Sequence, residues 1–64
     1  MWTVIYVATD EDNAKVVENA IKSEGILAKT REVLKSKRHG CCIEILVPET
    51  EAQEAQEVIL EKNL

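Results

Sequence analysis

Residues 41–53 read Cys-Cys-Ile-Glu-Ile-Leu-Val-Pro-Glu-Thr-Glu-Ala-Gln, a sequence that indicates a strand followed directly by a helix. The alternating pattern up to Val47 predicts a β-strand, which Pro48 closes because proline cannot donate a hydrogen bond to a strand ladder. Thr50 and Gln53 then form a capping-box pattern, so a helix is predicted to begin there and to continue to about Asn63. This end of the chain is therefore a strand followed by a helix.

The residues that precede this stretch predict a helix between two further strands. Residues 2–9 are rich in β-branched and aromatic side chains and predict the first strand. N-cap candidates at residues 9–13 begin a helix, Gly25 suits its left-handed end, and residues 26–33 predict the second strand. A right-handed crossover makes strands one and two parallel, with strand three antiparallel between them. We predict one domain, residues 1–64, with an α+β fold: a truncated ferredoxin-like βαββα sandwich with strand order 1-3-2 and both helices on one face.

The composition is that of an ordinary globular protein with an acidic balance. The 64 residues are 45% hydrophobic and 31% charged, with a formal net charge of −4. The negative charge argues against nucleic acid or an anionic membrane as the partner. Two cysteines without a secretory signal indicate a reducing compartment, and no apolar run approaches the roughly 20 residues of a membrane span. We expect a soluble cytoplasmic protein.

The first strand is apolar on both faces and is predicted to lie at the edge of the sheet. Soluble proteins rarely leave a long apolar edge bare, and a core of this size seldom gives more than about 3–5 kcal/mol, so a homodimer is favoured. We assign the interface to Trp2, Val4, Tyr6 and Leu46. Edge-to-edge and face-to-face association both remain open. The alternative is an accessory subunit that docks onto a larger enzyme.

A cluster of basic residues lies between the second and third strands of this acidic chain. It contains Lys29, Arg31, Lys35, Lys37, Arg38 and His39. Such a local excess of positive charge suits an anionic ligand or an acidic partner. The alternative, which we favour, is a solvated loop whose charges balance the acidic helices. We predict a small non-catalytic, oligomeric regulatory or interaction module, with this cluster as its candidate ligand site.

Other patterns in the chain predict little chemistry. The run His39-Gly40-Cys41-Cys42 offers at most three ligands, and adjacent strand residues point to opposite faces, so no metal site is predicted. Trp2 and Tyr6 could stack on RNA bases, but Glu44 at the centre of that platform would repel phosphates. Because no nucleophile-and-base arrangement is recognisable, we predict no catalytic residues, no cofactor and no enzyme activity.

Three structural motifs resemble a known family. They are the run Gly25-Ile26-Leu27-Ala28, the strand end Ile45-Leu46-Val47-Pro48-Glu49 and the helix Glu51-Ala52-Gln53-Glu54-Ala55. They are similar to small bacterial signal transducing proteins, domains of unknown function that are compared with nitrogen-regulatory PII proteins. The resemblance implies a ferredoxin-like or PII-like regulatory domain and carries over no functional residues. Similar short chains bear the label glutamate decarboxylase, but 64 residues are too few to enclose pyridoxal phosphate and its substrate pocket.

Overall fold

The computed structural model describes residues 1–33 and 42–64. This part of the chain forms, in order, β1 (Trp2–Ala8), α1 (Glu11–Ser23), β2 (Lys29–Glu32), β3 (Ile43–Pro48), a 3-10 turn (Glu49–Glu51) and α2 (Ala52–Glu61). The central strand β3 pairs antiparallel with both neighbours, in the order β1-β3-β2. The predicted α+β fold and its strand order 1-3-2 are confirmed.

Both helices pack on one face of the sheet and enclose an aliphatic core. Val17 and Ile21 of α1 are fully buried against Ile45 and Val47 of β3. The buried residues of α2 are Ala55, Val58 and Ile59. Since strand side chains alternate between faces, the buried residues Ile43, Ile45 and Val47 of β3 form its helix-facing side.

The ends of α1 follow from Asp10, which is one of the N-cap candidates at residues 9–13, and from Gly25. The Asp10 carboxylate caps the helix by accepting a hydrogen bond of 2.7 Å from the Asn13 backbone N–H. Gly25 has a φ of +81°, and the Ile26 N–H donates back to the Ile21 carbonyl at 3.4 Å. This is a Schellman motif, in which a left-handed residue ends the helix and the flanking apolar residues pack together. The predicted cap and the predicted glycine end are both confirmed.

The start of α2 differs from the prediction. Thr50 lies inside the 3-10 turn, and α2 begins after it without a side-chain cap, so the predicted capping box between Thr50 and Gln53 is wrong. An N-cap residue needs an extended backbone, which a residue inside a helical turn lacks. At the other end, Asn63 has a φ of 59° and the Leu64 N–H donates to the Ile59 carbonyl at 3.0 Å, which forms a second Schellman motif.

Strand β2 is shorter than residues 26–33, the range predicted for it. It contains only Lys29–Glu32, and all four of its residues are exposed. Ile26 instead completes the end of α1 and is only 3% exposed. The first apolar residue of this stretch, Ile26, therefore belongs to the end of α1, and strand pairing begins only at Lys29.

Strand β1 contains a β-bulge that changes which residues share a face. Val4 pairs with Leu46, whereas Tyr6 pairs with Ile45, so one extra residue of β1 lies between the two pairs. The bulge turns Tyr6 toward the helices, where it packs against the core together with Ile5. The prediction that Trp2, Val4 and Tyr6 lie on one face is therefore wrong for Tyr6.

Candidate interaction surface

The sheet face opposite the helices, which we call the outer face, carries the exposed apolar residues of β1. Trp2, Val4 and Val7 point to this face, with exposed fractions of 39%, 37% and 53%. Their cross-strand partners include Leu46 and Glu44 of β3. Three of the four predicted interface residues therefore lie together, and Val7 takes the place of Tyr6.

Leu46 is 5% exposed although the helices lie on the other side of the sheet. The Lys29 Nζ lies 4.3 Å from the centroid of the Trp2 ring. Because β2 and β1 flank β3, these two side chains can meet only by crossing the central strand, and they cover Leu46. The ammonium gains a cation–π contact while the lysine stem covers apolar surface.

Arg31 and Glu44 form a second polar contact on the outer face. The Arg31 Nε donates to Glu44 Oε1 at 2.9 Å, and a terminal guanidinium nitrogen donates to the same oxygen. The two residues are register partners in the β2–β3 ladder, so antiparallel pairing brings them together. Glu44 is one-fifth exposed as a side chain and Arg31 about three-fifths, which makes this a partly screened pair.

These contacts bear on the basic cluster that is the candidate anion site. Its two described members are both engaged on the outer face, Lys29 with Trp2 and Arg31 with Glu44. The other members lie outside the described residues; they are Lys35, Lys37, Arg38 and His39. The anion site stays a prediction, and an anion at Arg31 would have to compete with the Glu44 carboxylate.

The structure also places the residues considered for RNA and metal binding. Tyr6 Oη donates to Asn13 Oδ1 of α1 at 3.4 Å, so Tyr6 does not join Trp2 in a stacking platform. His39 and Cys41 lie outside the described residues. Within residues 1–33 and 42–64, no group of three or more His, Cys, Asp or Glu side chains is arranged to hold a metal ion. In the same ranges, neither helix has the length and apolar character needed to span a membrane.

On the helix side of the sheet, a shallow groove runs between β1 and α2. It has a volume of about 300 Å³ and is lined by Ile5, Gln56, Ile59 and Leu60. Leu60 is 76% exposed, the largest exposed fraction of any apolar α2 side chain in the structure. The groove lining contains no charged residue. Beside β1, the helix side of the sheet therefore presents apolar and amide groups, just as the outer face presents apolar side chains of β1.

The opposite edge of the sheet has a different character. A cleft of about 230 Å³ lies between α1 and β2, and the charged residues that line it are Glu11, Lys15, Glu18 and Glu32. Strand β2 itself reads Lys-Thr-Arg-Glu. The sheet thus has one edge strand with charged side chains, β2, and one with uncharged side chains, β1, although the Lys29 ammonium of β2 reaches the Trp2 ring on the outer face. We call the uncharged one the β1-edge surface and define it as Trp2, Val4, Ile5, Val7, Gln56 and Leu60.

Four of these six residues were not among the predicted interface residues. Ile5 and Val7 are placed by the bulge, for which the sequence gives no signal. Gln56 and Leu60 are four apart and share one flank of α2. That flank carries no charge although the helix is acidic, and this contrast in the sequence could have identified Gln56 and Leu60.

Comparison with protein-family models, with curated proteins and with solved structures finds no match for this chain. The resemblance to bacterial signal transducing proteins therefore stays a prediction. What the fold and the surface define is a small α+β protein with one charged and one uncharged sheet edge.

Proposed function

We propose that the protein is a small non-catalytic interaction module that works as a homodimer through the β1-edge surface. The observation that carries this proposal is the contrast between the two edges of the sheet. Proteins usually protect an edge strand from association with charged side chains, as β2 does with Lys29, Arg31 and Glu32. The side chains of β1, Trp-Thr-Val-Ile-Tyr-Val-Ala, carry no charge, although the strand does contain a bulge between Val4 and Tyr6.

A second copy of the chain fits this surface better than a charged partner does. In a two-fold dimer the same patch lies on both sides of the interface. Each copy carries a net charge of −4, so a self-complementary patch has to exclude the acidic residues. The β1-edge surface meets this requirement. Gln56, its one polar side chain with strong hydrogen-bonding groups, has both donors and an acceptor and can pair with its symmetric copy.

Association through β1 leaves the other edge of the sheet accessible. Lys29 and Arg31 lie on β2, on the far side of the central strand from β1, and of the two only Lys29 is described as reaching β1, at the Trp2 ring. An anionic ligand or acidic partner could therefore bind at the basic cluster while the dimer is intact. This arrangement supports a regulatory role in which the dimer is the scaffold and the basic cluster is the responsive site.

The single tryptophan of the chain provides the test. Trp2 is 39% exposed, so dimerisation should shift its emission to the blue and reduce its quenching by acrylamide as protein concentration rises. Val7→Lys should move this transition to higher concentration. Val16→Lys is the matched control, because Val16 lies on α1, is also 53% exposed and gives the same change in charge.

The predicted result is a concentration-dependent Trp2 signal that Val7→Lys shifts and Val16→Lys leaves in place. Equal shifts in both variants would show that the added charge, rather than its position, controls association. A Trp2 signal that is independent of concentration, together with a monomeric mass, would contradict the proposed function.

A further inference from the structure

We infer that two copies join by antiparallel pairing of β1 with β1, so that two three-stranded sheets become one six-stranded sheet. This inference rests on the proposed homodimer and specifies how it is built. In the described residues, β1 pairs only with β3. Alternate N–H and C=O groups of an edge strand point away from its neighbour, and a second β1 would satisfy them.

The charged residues of the outer face argue against face-to-face packing. Stacking two outer faces would bury Lys29 and the Arg31–Glu44 pair of both copies, with the desolvation cost that buried charges carry. Edge pairing leaves these groups in water. It still brings the exposed β1 residues Trp2, Val4 and Val7 of the two copies side by side on one face, where neighbouring apolar side chains stabilise strand pairs.

The charge pattern of α2 matches the same geometry. Helical spacing places Gln53, Gln56 and Leu60 on one flank and the three exposed carboxylates on the adjacent flank; these are Glu54, Glu57 and Glu61. Two residues of the uncharged flank, Gln56 and Leu60, line the groove between α2 and β1. In the six-stranded sheet, the two α2 helices lie above the new strand pair, where their uncharged flanks can meet without repulsion between carboxylates.

Edge pairing also explains why association would stop at two copies. Once β1 is paired with β1, both outer edges of the combined sheet are β2 strands, which carry charged residues at three of four positions. Such edges resist the addition of further strands. The two-fold contact is therefore closed, as expected for a dimer rather than a fibre.

The experiment combines light scattering with hydrogen exchange on the full chain. Leu60→Glu places a carboxylate from each copy at the interface, and we expect the dimer dissociation constant to rise by roughly 100-fold or more. Leu27→Glu is the matched control, because Leu27 is 64% exposed and precedes β2 at the other edge. Circular dichroism of both variants confirms that they are folded.

Three results are distinguishable. Slow exchange of the outward-pointing β1 amides in the wild-type dimer, with dissociation by Leu60→Glu but not by Leu27→Glu, supports edge pairing. A dimer that keeps its affinity in Leu60→Glu and exchanges its outward β1 amides rapidly overturns edge pairing but leaves the proposed homodimer. A wild-type chain that stays monomeric overturns both.

Discussion

Replacement of Gly25 by alanine tests how α1 ends and therefore where the chain enters β2. Gly25 adopts a φ of +81°, and a Cβ added there would have no neighbour within 4 Å. The substitution thus has no steric cost from packing. Its effect comes entirely from the backbone conformation.

The expected change in the free energy of unfolding follows from two opposing effects. A non-glycine residue in the left-handed region costs about 1–2 kcal/mol, whereas alanine restricts the unfolded chain and returns about 0.4–1 kcal/mol. We expect Gly25→Ala to lower the free energy of unfolding by about 1 kcal/mol. For a domain of this size, that change corresponds to a fall in Tm of roughly 4–8 °C.

The assay is thermal and urea unfolding followed by circular dichroism, at one fixed protein concentration because a dimer's stability depends on concentration. Gly25→Asn should lose less stability, since asparagine tolerates this conformation better than alanine. Asn63→Gly, at the equivalent position after α2, should be neutral or stabilising. A Gly25→Ala variant that is more stable than the wild type would refute the left-handed end of α1.

Asp10→Ala should lower the free energy of unfolding by about 1 kcal/mol because the α1 cap is lost, whereas Thr50→Ala should cost less than about 0.5 kcal/mol, since Thr50 caps no helix. Equal losses in urea unfolding would contradict this difference. If the basic cluster binds anions, Arg31→Ala combined with Arg38→Ala should abolish salt-sensitive binding of pyrophosphate in titration calorimetry, and Glu44→Gln should strengthen it by releasing Arg31. Unchanged affinity in the double variant would exclude the cluster as the site.

Much of the fold could be predicted because local patterns and chain connectivity agree. The alternation from Ile43 to Val47 identifies the central strand, whose helix-facing side is formed by Ile43, Ile45 and Val47. Gly25 and Asp10 mark the two ends of α1 through conformational preferences that depend on single residues. The strand order then follows from the handedness of the crossover.

The interaction surface was harder to predict because it depends on register and helix placement. Ile5 and Tyr6 are both apolar, so alternation cannot show where the extra residue of the bulge enters β1. The Arg31–Glu44 pair arises from the antiparallel register of β2 on β3, and not from spacing along the chain. Leu60 falls outside the buried stripe of α2, and its proposed place in the interface follows only from the position of that helix beside β1.

The most direct test of the homodimer is molar mass by light scattering behind size exclusion, over a series of protein concentrations at low and moderate salt. The proposed homodimer predicts a species of twice 7.2 kDa that is populated more strongly at moderate salt, because salt screens the repulsion between two copies of net charge −4. A mass of one chain at every concentration and at both salt levels would contradict the account.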